Sequence, residues 1–322
     1  MIGINKKIVE VAISDSLVEL NAQSLEIVNN LKEFKRNNSI LKSKDTAYLN
    51  KIIAEFETTN LITMSLSDLE RVKNEIGEIP VCRRRFNGKK RATLLKEEIL
   101  QILDYKGKRS KLYPEYFQKI GIKACVYCNS QLTVTVDKKI INRRGSRIEY
   151  VAKFQLDHFY PKDKYPHLSI SMFNLYPVCS SCNLVKNNNP NVEFKLYVDD
   201  LNKSDFAFKL DKSSKATFLS TRNNKHLNII FQNVNDSTYK DIFRVNDIYK
   251  TQYDVAEEII LKSLVYNSSY RKSLIKEFGK HRINDNLINR FILGNYINES
   301  EIHKRPLAKF MQDIGRETGL IE

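Results

Sequence analysis

At 322 residues, with 42% hydrophobic side chains, 16 Phe and 16 Tyr, the chain is long enough to bury a sizeable core over two or three domains. Only 10 Gly and 7 Pro speak against fibrous and disordered classes. Lys and Arg outnumber Asp and Glu by 53 to 38, and the net charge of +15 raises the prior for a polyanionic partner while remaining compatible with plain solubility.

No run approaches the roughly 18 apolar residues of a membrane helix. The first stretch, Met1 to Val11, is broken by Asn5, Lys6, Lys7 and Glu10 instead of forming a signal peptide. A cytoplasmic protein with no membrane partner is expected. Residues 1 to 13 alternate Ile2, Ile4, Ile8, Val9, Val11 and Ile13 with polar residues in the manner of a short strand. Leu17, Leu20, Leu25, Val28 and Leu31 follow a helical period, as do Tyr48, Ile52, Ile53 and Phe56, and Ser67 to Glu70 has the pattern of a capping box. Between Arg83 and Lys111 lie eleven basic and three acidic residues, 11 − 3 = +8, around an apolar helical stripe of Leu94, Leu95, Ile99, Ile102 and Leu103. Either a solvated face or phosphate contacts accounts for these charges, and the approach to a cysteine pair favours phosphate.

Leu132 to Val136 and Ile148 to Phe154 read as two strands joined by a turn over Asn142 to Ser146, the second running straight into Asp157-His158. A helix begins at the second cysteine pair and ends before Pro190. Phe206 to Leu210 and Leu227 to Phe231 alternate like strands around a polar, exposed Lys212 to Lys225 stretch, and helices fill the chain from Asn246 onward. The expected fold class is α+β, with mainly helical flanks. The expected division is a helical region 1–115 carrying the basic segment, a central module 116–200, and a C-terminal region 201–322 of short strands and then helices.

Four of the five cysteines form two CxxC pairs, Cys125/Cys128 and Cys179/Cys182, which suit metal binding in a reducing compartment better than disulfides. Zinc takes four tetrahedral thiolate or imidazole ligands, so the two pairs make a closed structural site with no open position. Unrelated buried cysteines or a redox pair are the competing explanation. Cys82 stands apart and reads as a small buried hydrophobe.

Hydrolysis of a phosphodiester needs an activated water, a cation at the phosphate and a positioned base. His158 titrates near neutrality and is the natural base. Asp157 and an Asn carbonyl offer the hard oxygens that suit Mg2+ or Mn2+. In a regular strand Asp157 points away from the His158 face, so a shared ion requires a bend or the strand's end. Asp157-His158, Asn174 sixteen residues on and Asn183 in Cys-x-x-Cys-Asn-x-x-Lys together resemble the ββα-metal motif of HNH endonucleases. The resemblance implies a zinc-stapled ββα-metal module in which His158 is the general base and Asn174 holds it by hydrogen bonding. Asp157 and Asn183 would bind the catalytic metal, with Lys186 on phosphate; Asn stands at position 183 where the family name has His.

The longer run Asp157-His158-Phe159-Tyr160-Pro161-Lys162, with Lys164-Tyr165-Pro166, is similar to a bacterial HNH subgroup that includes the nuclease partner of Septu-type and retron-associated anti-phage systems. That likeness implies DNA as substrate, an ABC-type ATPase partner and, in some assemblies, a retron or other sensor. The chain has no P-loop of its own. Arg83, Arg84, Arg85, Lys89, Lys90, Arg91 and Lys162 are the expected nucleic-acid contacts. His167, His226, His281 and His303 are read as non-catalytic. An RNA substrate, or a non-catalytic zinc module that binds nucleic acid or scaffolds a complex, remains the alternative.

Overall fold

The computed structural model describes residues 3–321 except 40, 82–84, 87–88, 143–144, 189–191, 193, 200–203, 205, 234–238 and 280–283; side chains are further left out at 85–86, 89–93, 142, 188, 233 and 268. The fold is α+β, with long helices and two-stranded sheets among the described residues. Buried side chains of all three sequence regions join one continuous apolar core. Among the described residues no helix is long and apolar enough to cross a membrane.

The N-terminal third is helical, over Lys6–Ser14, Leu17–Asn37, Ser43–Thr58, Leu66–Ile76, Arg91–Ile102 and Tyr105–Ile120. The strand expected over residues 1 to 13 survives only as Ile4–Asn5, paired in parallel with Tyr197–Val198. Asn5 then caps a helix by accepting from the Lys7 N–H at 2.9 Å, and Val9, Ala12 and Ile13 bury its inner face. Apolar residues at i, i+3 and i+4 outweigh the looser alternation. The expected box at Ser67 lies two residues late: Ser65 is the N-cap and accepts from the Asp68 N–H at 3.2 Å. Lys212–Thr221, expected as an exposed polar stretch, is a helix started by Asp211 and buried through Ser214 and Phe218.

The helix Tyr105–Ile120 positions much of the centre. Asp104 takes a left-handed conformation (φ 49°) and caps it through the Gly107 N–H at 3.1 Å; a side chain at 107 would collide with that carboxylate. Gly121 (φ 82°) closes the other end, where a side chain would be strained. Lys108, counted in the basic segment, turns inward and donates to the Leu103 carbonyl at 3.0 Å.

The expected hairpin forms as a nine-rung antiparallel arm, Val134–Asn142 with Gly145–Lys153. It does not run on into the Asp-His pair. The ladder stops at Lys153, and Gln155–His158 pairs instead with Leu175–Val178 in a separate antiparallel sheet. Ser180–Asn188 follows as a helix; Pro190, expected to end it, lies outside the described residues.

The C-terminal part clamps the first CxxC turn. Asn129, left-handed at φ 53°, accepts at its carbonyl from the Leu307 N–H at 2.6 Å. Its side chain donates to the Ile302 carbonyl at 2.9 Å and accepts from the Lys309 N–H at 3.1 Å. The hydroxyls of Tyr239 and Tyr249 donate to the carbonyls of Tyr127 and Cys128 at 2.6 and 2.8 Å. Buried backbone polar groups need partners, and these come from 112 to 180 residues away in the chain.

Candidate functional site

The Sγ atoms of Cys125, Cys128, Cys179 and Cys182 all lie within 4.8 Å of one another. Four thiolates about 2.3 Å from a tetrahedral zinc sit about 3.8 Å apart, so the set fits zinc with small adjustments. Burial raises the Cys125 thiol, while contact with Cys125 raises Cys182 and lowers Cys128 and Cys179. Such a cluster of thiols pulling one another apart in proton affinity is relieved when one cation takes all four sulfurs. The Cys179 N–H and the Ser130 hydroxyl donate to Cys125 Sγ and Cys128 Sγ at 3.3 and 3.2 Å, the donors a metal thiolate recruits.

The zinc set brackets the second cluster. Gln155 and Asp157 share one face of their strand, and Asn183 and Lys186 share one face of the following helix. The two faces meet in register: Asn183 Nδ2 donates to Gln155 Oε1 at 2.6 Å, and Lys186 Nζ lies 3.5 Å from Asp157 Oδ2. Tyr127, between the first two cysteines, donates its hydroxyl to the same Asp157 oxygen at 2.6 Å. Oδ1 of Asp157 and Oδ1 of Asn183 accept no hydrogen bond among the described residues. They are two hard donors suited to Mg2+ or Mn2+.

His158 ends its strand and is buried, its ring centroid 5.2 Å from that of Tyr105. Nε2 lies 3.3 Å from the Ser169 carbonyl. A carbonyl can only accept, so Nε2 carries the hydrogen and Nδ1 keeps the lone pair. Burial first, then the positive charges of Lys162, Lys186 and Arg109, push the ring's pKa down to about 3.

The sequence-expected residues fall into three groups. Asp157 and Lys186 come together, with Asn183 on Gln155 beside them, whereas the His158 imidazole packs on the Ser169 carbonyl and the Tyr105 ring and only its backbone carbonyl meets Lys186. Asn174 stands one step removed: its amide accepts from the Tyr160 N–H at 2.7 Å and donates to the carbonyls of Tyr160 and Leu168 at 3.2 and 2.9 Å. It therefore fixes the loop that presents Ser169 and, among the described residues, makes no bond to the imidazole it was expected to hold. Lys186 is turned inward, 4% exposed, and its Nζ also reaches the His158 carbonyl at 3.4 Å. Lys162 lies with its Nζ 5.2 Å above the Tyr105 ring, beside the cluster. Arg83 and Arg84, the side chains of Arg85, Lys89, Lys90 and Arg91, and also Cys82 and His281, lie outside the described residues.

Tyr127, Ser169 and Tyr105 are not singled out by the sequence as site residues, and Arg109 reads there only as one charge of the basic segment. Only Tyr105 and Arg109 carried a local signal, four residues apart on one helix in the basic segment.

His167 is buried in the same loop, its Nδ1 2.9 Å from the Tyr48 hydroxyl and its Nε2 without a partner among the described residues. Burial lowers its pKa to about 3. Below pH 6.5 the unfolded chain binds a proton here that the native state refuses, so stability is full above pH 6.5 and falls from there toward pH 3. Urea unfolding across pH 4 to 6 is expected to lose about 1.4 kcal/mol per pH unit from this residue. His167→Phe removes that share of the slope; an unchanged slope refutes the assignment.

Comparisons with protein-family models, curated proteins and solved structures return no match to this chain.

Proposed function

We propose that the chain is a metal-dependent endonuclease of the HNH type that hydrolyses phosphodiester bonds in DNA. The observation that supports this reading is the antiparallel pair Gln155–His158 and Leu175–Val178 followed directly by Ser180–Asn188, with Asp157 against Lys186, Asn183 against Gln155, and His158 closing the same strand. His158 Nδ1 takes the proton of the attacking water. The Ser169 carbonyl steadies the imidazolium that results, and Asn174 steadies the loop behind it. Asp157 and Asn183 would hold Mg2+ or Mn2+, which would supply charge neutralisation on the phosphate and leaving oxygen. Lys162, Lys186 and Arg109 make the surroundings electropositive where a phosphodiester sits. The four-cysteine zinc is structural.

The same likeness makes the chain the effector of a cytoplasmic bacterial anti-phage complex with an ABC-type ATPase and, in some assemblies, a retron or other sensor. The test is plasmid DNA and, in parallel, RNA incubated with the chain, alone and with a co-expressed neighbouring ATPase, with Mg2+, Mn2+ or EDTA. Metal-dependent DNA cleavage supports the reading, cleavage of RNA alone transfers it to RNA, and absence of cleavage in every arm overturns it. One observation favours a non-catalytic zinc module: one oxygen of Asp157, Oδ2, is already taken up by Tyr127 and Lys186. That module binds nucleic acid tightly and cuts nothing.

Tyr127 distinguishes these two. Its hydroxyl fixes which Asp157 oxygen faces outward, so Tyr127→Phe is expected to raise the Mg2+ concentration for half-maximal cleavage about 10–100-fold, with the rate at saturating metal largely retained. In a scaffold module the substitution leaves metal dependence without meaning.

A further inference from the structure

Between the helix Tyr105–Ile120 and the arm strand Gly145–Lys153 runs a groove of about 900 Å³. Lys106, Arg109 and Lys111 form its helix wall, and Ile148, Tyr150 and Phe154 line the arm side. Its two carboxylates are already neutralised: Glu149 pairs with Arg147 at 2.6 Å and Glu115 with Lys119 at 3.1 Å. Lys106, Arg109 and Lys111 make no ion pair or side-chain hydrogen bond among the described residues. Three uncommitted cations therefore edge a groove whose floor and arm side are largely apolar and offer aromatic rings.

The groove leads to the candidate site. Tyr105 and Arg109 are one helical turn apart, and Tyr105 lies against His158. On the arm side, Phe154 immediately precedes Gln155.

The arm itself is built as an outrigger. Thr135 Oγ1 donates to the Pro114 carbonyl at 2.9 Å and Gln118 donates to Asp137 at 2.7 Å, which seats its inner rungs on the helix. The next rungs of the same face, Lys139 with Ile148 and Ile141 with Ser146, overhang the groove, Ile141 being 75% and Ile148 57% exposed. A nine-residue ribbon spans about 30 Å, the size of element that a nucleic-acid groove admits. An isolated hairpin with an exposed outer half gains little stability for the chain, so its persistence asks for a partner.

We propose that this groove seats a backbone strand of duplex DNA, with its phosphates on Lys106, Arg109 and Lys111 and the arm lying across the duplex, so that the strand is delivered to His158. The proposal deepens the nuclease reading and rests on it. The test is binding of a fluorescent 30-base-pair duplex by the full chain carrying His158→Ala, measured by anisotropy over a salt series. Lys106→Gln, Arg109→Gln and Lys111→Gln are added together in one variant; Lys212→Gln, Lys215→Gln and Lys225→Gln, in another, remove the same charge elsewhere.

Each phosphate contact contributes about 0.9 to the slope of log K against log salt, so the groove variant is expected to lose about 2.7 from the slope and the control to keep it. Circular dichroism and zinc content show whether each variant is folded, and a variant with Lys111→Gln alone, losing about 0.9, serves if the triple change fails to fold. Equal slopes for the groove variant and the control overturn the surface, as does a parent that binds no duplex. Plasmid cleavage by the unsubstituted chain is read separately. Cleavage without a groove effect sinks the surface and spares the nuclease, whereas a groove effect without cleavage does the reverse.

Discussion

On the nuclease reading, His158→Ala is expected to abolish metal-dependent cleavage, lowering the rate by about 10²–10⁴, the share that a positioned base supplies, while metal content and circular dichroism stay those of the parent. The ring is fixed on one side by the Ser169 carbonyl and packed against Tyr105, so truncation opens a small void without removing a ligand of either metal set. The pH dependence carries a second, sharper expectation. In the free chain burial and three cations hold the imidazole at about 3, so it is neutral at every pH above about 4 and already in the form that accepts a proton. A bound phosphodiester offsets Lys162, Lys186 and Arg109 but not the burial that is the largest cause, so the pKa rises part of the way toward its ordinary value. The acid limb of kcat/KM, which reports the free enzyme, therefore falls at lower pH than the acid limb of kcat, which reports the complex. Substitution with no loss of cleavage, or the two limbs in the opposite order, removes His158 from the base role.

The parts of the site that were legible in the sequence are those whose chemistry is local. Two CxxC pairs are each one turn, so their four-fold use follows from residue type, and the sulfurs do converge within 4.8 Å. Asn183 and Lys186 share a helix face because their spacing is three. What depended on distant chain was not legible. The strand partner of Gln155–His158 is Leu175–Val178, in which Pro177 would ordinarily argue against a strand; it is tolerated because this sheet has only two strands and Pro177 can sit at an outer edge. The first segment looked like a strand because Ile and Val alternate there, and only the buried face formed by Val9, Ala12 and Ile13 decides for a helix. The lock on Asn129 by Ile302, Leu307 and Lys309 has no trace in either segment alone. Tyr127 looked like filler between two cysteines, and its role exists only because Asp157 arrives opposite it.

Removal of a zinc held by the four cysteines is expected to cost this chain its fold and not merely a cofactor. The ion's four sulfurs come from two turns more than 50 residues apart, and the stretch between them contains the arm, the Asp-His strand and the loop held by Asn174. Structural zinc contributes about 10–16 kcal/mol in small peptide modules, which is the order of a whole domain's stability. One zinc per chain is expected by elemental analysis. Cys182→Ser, at a buried ligand, should lose the metal and the cooperative melting transition, whereas Cys82→Ser keeps both. Because the sulfurs bind as thiolates, zinc affinity falls as pH is lowered, and chelators should strip the ion faster at pH 6 than at pH 8. The effect propagates along one traceable line: loss of the ion frees the turn that carries Tyr127, and Tyr127 then no longer orients Asp157. Cleavage should therefore disappear at lower chelator concentrations than those that unfold the C-terminal helices. A chain that melts at the same temperature with and without zinc, or that cuts DNA after complete zinc removal, contradicts the link between the two centres.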